Sequence, residues 1–128
     1  EITTRLVGSE MCKETVKKAL GISGVITSEY SWHTTATEEH PGAQIDLLIE
    51  RSDKVINICE IKYSDSPYNI DKKYMENLRT KAALFRQLTK TRKGLALTMI
   101  TSNGLVKNSY SINGVHSQIT ADDLFTDA

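Results

Sequence analysis

Gln44-Ile45-Asp46-Leu47-Leu48-Ile49 and Val55-Ile56-Asn57-Ile58-Cys59-Glu60-Ile61-Lys62 decide the fold of this chain. Both runs read as buried strands, and the polar stretch 51–54 between them reads as the turn of a hairpin. Yet they carry two acids and an amine, groups seldom buried without a partner or a metal. Side chains alternate along a strand, so Glu60 and Lys62 share a face roughly 7 Å apart. The hairpin sets Asp46 beside them. By the same alternation Ile45, Leu47 and Ile49 face one side, and Gln44, Asp46, Leu48 and Glu50 the other. Glu50 falls at the strand end, in solvent. Two carboxylates and an ammonium converging on one point can hold a divalent cation and stabilise a charged transition state.

Apolar residues occupy both faces of both strands, which predicts a sheet covered by helices on each side, an α/β fold. Working outward, Ser9 is an N-cap for a helix running to Leu20, with Met11, Cys12, Val16, Ala19 and Leu20 on its buried face. Glu10 and Glu14 stack on one side of that helix, and either acid could reach the site. Residues 25–33 form a strand with Tyr30 and Trp32 in the core and His33 at the surface. Residues 34–42 are a loop, and His40 within it has no second histidine at ligand spacing.

Beyond the hairpin, Asp71 caps a long helix to Lys90 whose buried stripe is Tyr74, Leu78, Ala82, Phe85 and Leu88. Residues 95–101 form a strand pairing in parallel with the Glu60 strand, because a helix connects the two. Asn103-Gly104 is a turn, residues 105–112 a further strand, Asn113-Gly114 a second turn and 115–119 a last strand. Thr120 with Asp123 opens a short helix, 121–125. The 128 residues suffice for one domain with a real core.

The formal net charge is zero, so the total excludes nothing about nucleic acid. The distribution is uneven. Residues 71–93 hold eight Lys and Arg against Asp71 and Glu76, while the rest of the chain is acidic on balance. Such a segment can guide a polyanion. Lys72, Arg79, Arg86 and Lys90 recur at helical spacing as one stripe, and Lys93 extends it past the helix. Cys12 and Cys59 lie in apolar patterns without metal-ligand spacing, as reduced core residues of a cytoplasmic protein. No apolar run reaches the ~20 residues of a membrane span.

An Asp on one strand followed by Glu-x-Lys on the next resembles the PD-(D/E)xK nuclease superfamily. Gly42-Ala43-Gln44-Ile45-Asp46-Leu47-Leu48, Cys59-Glu60-Ile61-Lys62-Tyr63-Ser64 and Thr120-Ala121-Asp122-Asp123-Leu124-Phe125 extend the likeness. They resemble the nuclease-like domain at the C-terminus of a group of prokaryotic AAA-type P-loop ATPases, over most of the chain from Lys17 onward. The resemblance implies a restriction-endonuclease-like mixed central sheet flanked by helices. It implies Mg²⁺ or Mn²⁺ held by Asp46, Glu60 and the Ile61 carbonyl, with Lys62 orienting the attacking water or stabilising the phosphorane charge and Gln44 supporting Asp46. The substrate is then nucleic acid, DNA foremost.

A Gly-rich phosphate loop is absent from these residues. The expectation is therefore a C-terminal fragment whose ATPase domain lies elsewhere in a longer chain. The rival expectation is a non-catalytic nucleic-acid-binding, regulatory or homo-oligomerisation module of such an ATPase, since one fold hosts both enzymes and binding domains.

Overall fold

A computed structural model describes residues 10–125, with side chains described over 14–123. Helix α1 (Glu10–Ala19) leads into strands β1 (Thr27–Thr34), β2 (Ala43–Arg51) and β3 (Val55–Lys62). Helix α2 (Lys72–Thr89) returns the chain to β4 (Gly94–Thr101). Helix α3 (Ser109–Gly114), strand β5 (Ser117–Thr120) and helix α4 (Ala121–Phe125) complete it. The five strands form one mixed sheet in sequence order, β1-β2-β3-β4-β5. β1, β2 and β3 run antiparallel; β3, β4 and β5 run parallel. The parallel β3–β4 pairing is the one the connecting helix predicts.

Each sheet face carries its own core. Against α2, residues Met75, Leu78 and Phe85 pack on Ile45, Leu48, Ile56, Ile58, Leu97 and Met99. On the other face, Val16 of α1 packs with Leu47, Ile49, Cys59, Ile100 and Ile119. This two-sided cover explains why β2 and β3 are apolar on both faces. Buried Asn57 is satisfied within the sheet: it donates to Thr98 Oγ1 at 2.9 Å and accepts from Arg51 at 3.1 Å.

The alternation predicted for β2 is broken. Tyr30 pairs with Leu48 but Trp32 pairs with Ile45, so Ser31 alone opposes Asp46 and Leu47. This is a β-bulge, one extra residue that re-aims its neighbours. Ile45 and Leu48 consequently share the α2 side of the sheet.

Other expectations are corrected. Residues 105–112 are not a strand. Leu105 makes one bridge to Tyr68, and Asn108 caps α3 through a reciprocal pair with Ser111. That capping box, Asn108-x-x-Ser111, outweighs the β-prone residues around it. Asn113-Gly114 lies at the end of α3, where Gly114 is pressed on Met75. The last strand is shorter, Ser117–Thr120.

On α2 the buried residues are Met75, Leu78, Leu84 and Phe85, while Leu88 is exposed. Tyr30 is exposed and gives its hydroxyl to Glu50 at 3.2 Å; only Trp32 turns inward, edge-on to Phe85. Glu50 is not free in solvent, since Lys93 Nζ lies 2.6 Å from it. The Ser9 cap and the Met11 and Cys12 side chains lie outside the described residues. Gly21, at φ +73°, ends α1 as expected. Asp71 caps α2 by accepting from the Tyr74 amide at 2.8 Å. Thr120 and Asp123 likewise bond reciprocally at the start of α4.

Candidate metal centre

β3 delivers Glu60 and Lys62 to the α2 side of the sheet. Their even-numbered neighbours Ile56 and Ile58 pack there, while Cys59 and Ile61 pack on the opposite face. β2 runs antiparallel alongside, and Leu47 pairs with Cys59. Regular β2–β3 pairing ends at that pair, and Asp46 lies one residue beyond it, at the bulge where β2 departs from regular pairing with β1. Asp46 is exposed, and Gln44 donates to it from Nε2 at 2.8 Å. The Ile61 carbonyl lies between Glu60 and Lys62 in the chain, beyond the last β2–β3 partner pair. Glu60 and Lys62 thus share the α2 side at the end of β3, while Asp46, bonded to Gln44, lies near the start of β2 with its charge acting on Glu60.

Glu60 has a partner the sequence reading did not assign to it. Lys81 of α2 lies 3.2 Å from Oε1 and 3.1 Å from Oε2. The pair is well shielded, the side chains being 14% and 24% exposed for Glu60 and Lys81 respectively. Burial pushes the Glu60 carboxyl above its ordinary range. The Lys81 ammonium pulls the other way, the Asp46 charge adds to the rise, and Lys62 opposes it. Asp46 and Glu60 therefore act on one another through space as like charges.

A signal for Lys81 was present in the sequence. Tyr74, Leu78, Lys81 and Phe85 are spaced four, three and four apart, the rhythm of a buried helical stripe. A lysine in such a stripe needs a carboxylate.

Lys62 meets a different environment. Its ammonium lies 5.1 Å from the Tyr74 ring centroid and 5.9 Å from that of Tyr68, and the two rings stand edge to face at 5.4 Å. Tyr68 comes from the segment after β3, which the end of β4 pins in place. Ser102 Oγ both accepts from the Ser64 amide and donates to its carbonyl, and Tyr68 exchanges backbone bonds with Gly104 and Val106. Among the described residues the buried Tyr74 hydroxyl has no hydrogen-bond partner. Burial first, then the Glu60 charge, drives its proton affinity well above that of a free phenol.

The donor set suits a small hard cation. Mg²⁺ is commonly held by one or two carboxylates, with waters and substrate phosphates completing the octahedron. Asp46 and Glu60 supply two whose mutual repulsion a cation would relieve. Among the described residues no cluster of three or more His, Cys, Asp or Glu is arranged for a metal. Glu14 is exposed on α1, the Glu10 side chain lies outside the described residues, and His33 is exposed. His40 Nδ1 lies 2.8 Å from the Pro41 carbonyl.

The basic stripe is redistributed. Lys72, Arg79 and Arg86 are exposed on α2. Arg86, however, gives Nη1 to the Thr91 carbonyl and Nη2 to the Lys93 carbonyl, at 3.0 and 3.1 Å. Lys90 forms the left-handed C-cap of α2 at φ 59°. Lys93 does not extend the stripe freely, being paired with Glu50. Among the described residues no helix is long and apolar enough to cross a membrane.

No protein-family model matches the chain, and no curated protein matches it. A solved crystal structure of a protein of unknown function, AF1548, is similar, with a TM-score of 0.55 and 14% identity over 91% of this chain. The chain spans 59% of that protein's length. At that identity the likeness speaks to the fold alone, a mixed α/β sheet flanked by helices.

Proposed function

We propose that this domain is a metal-dependent nuclease of restriction-endonuclease-like fold, hydrolysing phosphodiester bonds of nucleic acid, DNA foremost. One observation carries the reading: Glu60 and Lys62 share the α2 side at the end of β3, with the Asp46 charge close enough to act on Glu60. Asp46 and Glu60, with the Ile61 carbonyl, are the groups that would hold Mg²⁺ or Mn²⁺. A cation bound there supplies Lewis acidity to a phosphate oxygen and lowers the pKa of a bound water.

The chain's own residues do the rest. Gln44 fixes the Asp46 carboxylate by donating to it. Tyr68 and Tyr74 hold the Lys62 ammonium against their faces, where a fixed positive charge stabilises the negative charge developing on phosphorus oxygens. α2 offers Lys72 and Arg79, with Lys90 at its end, to phosphates, contacts that position a nucleic-acid backbone without reading its sequence. In a longer protein this domain would accompany an ATPase domain of the same chain.

The test is nicking of plasmid and cleavage of single-stranded DNA with Mg²⁺ or Mn²⁺, with Lys62→Ala as control. Cleavage by the parent protein alone supports the reading. No cleavage, with Mn²⁺ affinity unaltered by Asp46→Ala, overturns it in favour of a non-catalytic or oligomerisation module. The Glu60–Lys81 ion pair is the observation that favours that second reading, since a shielded carboxylate already has its cation.

A further inference from the structure

The Glu60–Lys81 pair joins residues 21 apart in sequence and on different elements. Lys81 reaches both Glu60 oxygens from the inner stripe of α2, between Leu78 and Phe85, both buried. Those oxygens are the ones a divalent cation would need. Mg²⁺ sits about 2.0–2.1 Å from a carboxylate oxygen. An ammonium about 3 Å from both oxygens leaves little room for it, and the two positive charges would repel at close range. Lys81 and a cation therefore compete for one carboxylate.

The competition need not expel Lys81 from the site. Its side chain is 24% exposed and rides on a flexible four-carbon stem. Lys62, by contrast, is flanked by two aromatic rings. The site thus holds one lysine packed against rings and one lysine whose only hydrogen-bonded partner among the described contacts is the acid the metal would take.

We propose that Lys81 is a partner-exchanging counter-ion: it neutralises Glu60 while no divalent cation is bound and passes to the substrate phosphate when one is. The inference rests on the nuclease reading above. It explains how two acids acting on one another are tolerated before metal arrives. It also assigns α2 a charge delivered to the phosphate only once the site is loaded, which would couple metal binding to substrate binding.

The experiment compares the parent protein with Lys81→Met, which keeps the stem without the charge, and Lys81→Arg, which keeps the charge. Three quantities are measured: Mn²⁺ affinity by titration of the free-ion electron paramagnetic resonance signal, DNA cleavage at saturating Mn²⁺, and thermal unfolding without metal. Lys81→Met should bind Mn²⁺ about tenfold more tightly, since a competing cation has gone. It should cleave about 100-fold more slowly, the usual scale for losing one preorganised charge at a developing oxyanion. Lys81→Arg should recover part of the cleavage and bind Mn²⁺ close to the parent value.

Unchanged Mn²⁺ affinity in a folded Lys81→Met, with the parent protein binding and cleaving, overturns this inference and leaves the nuclease reading standing. Unchanged cleavage at saturating Mn²⁺ also overturns it. A parent protein that neither binds Mn²⁺ nor cleaves overturns the nuclease reading, and the inference with it. If Lys81→Met does not fold, Lys81→Gln replaces it on the same criteria, and failure of both to fold makes the pair structural and overturns the inference.

Discussion

The Lys62 ammonium stands 5.1 Å from the centre of the Tyr74 ring, so the last residue of β3 is held by the first turn of α2. A cation over an aromatic face contributes about 0.5–1 kcal/mol at accessible sites. Lys62→Ala should therefore cost about 1 kcal/mol of stability and keep the fold, while cleavage is abolished. Urea unfolding beside a plasmid-nicking assay checks both. A variant that fails to fold would make Lys62 a structural residue rather than a catalytic one.

Tyr74 should tolerate loss of its hydroxyl. That group is buried with no hydrogen-bond partner among the described residues, and the Glu60 charge acts on it. Leaving a buried polar group unmet costs about 1–3 kcal/mol. Tyr74→Phe should thus be at least as stable as the parent, by up to about 1 kcal/mol on that scale. Denaturant midpoints at unchanged slope are the measurement. A clear loss of stability would mean that the hydroxyl is satisfied in solution.

The Glu50–Lys93 pair gives a pH signature of defined sign. The hydrogen bond from Lys93 holds the Glu50 carboxyl below its usual range; partial burial opposes this and the Tyr30 hydroxyl assists it. A depressed carboxylate contributes stability above its unfolded-state pKa and loses it as pH falls through the folded value. With more than a third of the Glu50 side chain exposed, the contribution should be only about 0.2–1 kcal/mol. Glu50→Gln should lower the melting temperature slightly at neutral pH and leave it unchanged in strong acid. Equal losses at both pH values would assign the effect to packing.

Nucleic-acid affinity, measured across a salt series, should depend on Lys72 and Arg79 more than on Arg86. Arg86 already spends donors on the Thr91 and Lys93 carbonyls. Each phosphate contact removed should lower the slope of log affinity against log salt by about 0.7–0.9. Lys72→Ala with Arg79→Ala should therefore reduce it by roughly twice that. An unaltered slope would make this face of α2 a solvated or protein-facing surface. Arg86→Ala should act mainly on stability.

The sequence by itself determined the parts governed by short-range rules. Alternation within β3 put Glu60 and Lys62 on one face. The polar 51–54 stretch made the hairpin, and Asp71, Gly21 and the Thr120–Asp123 pair set helix ends. A helix between two apolar strands required their parallel pairing. Each follows from backbone geometry over a few residues.

Where short-range signals conflicted, one of them won. The Asn108–Ser111 capping box overrode the β-prone residues that suggested a strand. The bulge at Asp46 and Leu47 left no mark in β2, because it arises from how β1 pairs with β2.

Only the tertiary structure decided which charges meet. Lys81, Lys93 and Arg86 all read as one basic segment, yet they reach a half-buried acid, a surface acid and backbone carbonyls respectively. Helical spacing says which residues share a side of α2 but not which strand end that side faces. A charged group's partner depends on distance through space, and the packing of α2 over the sheet fixed that distance for Glu60.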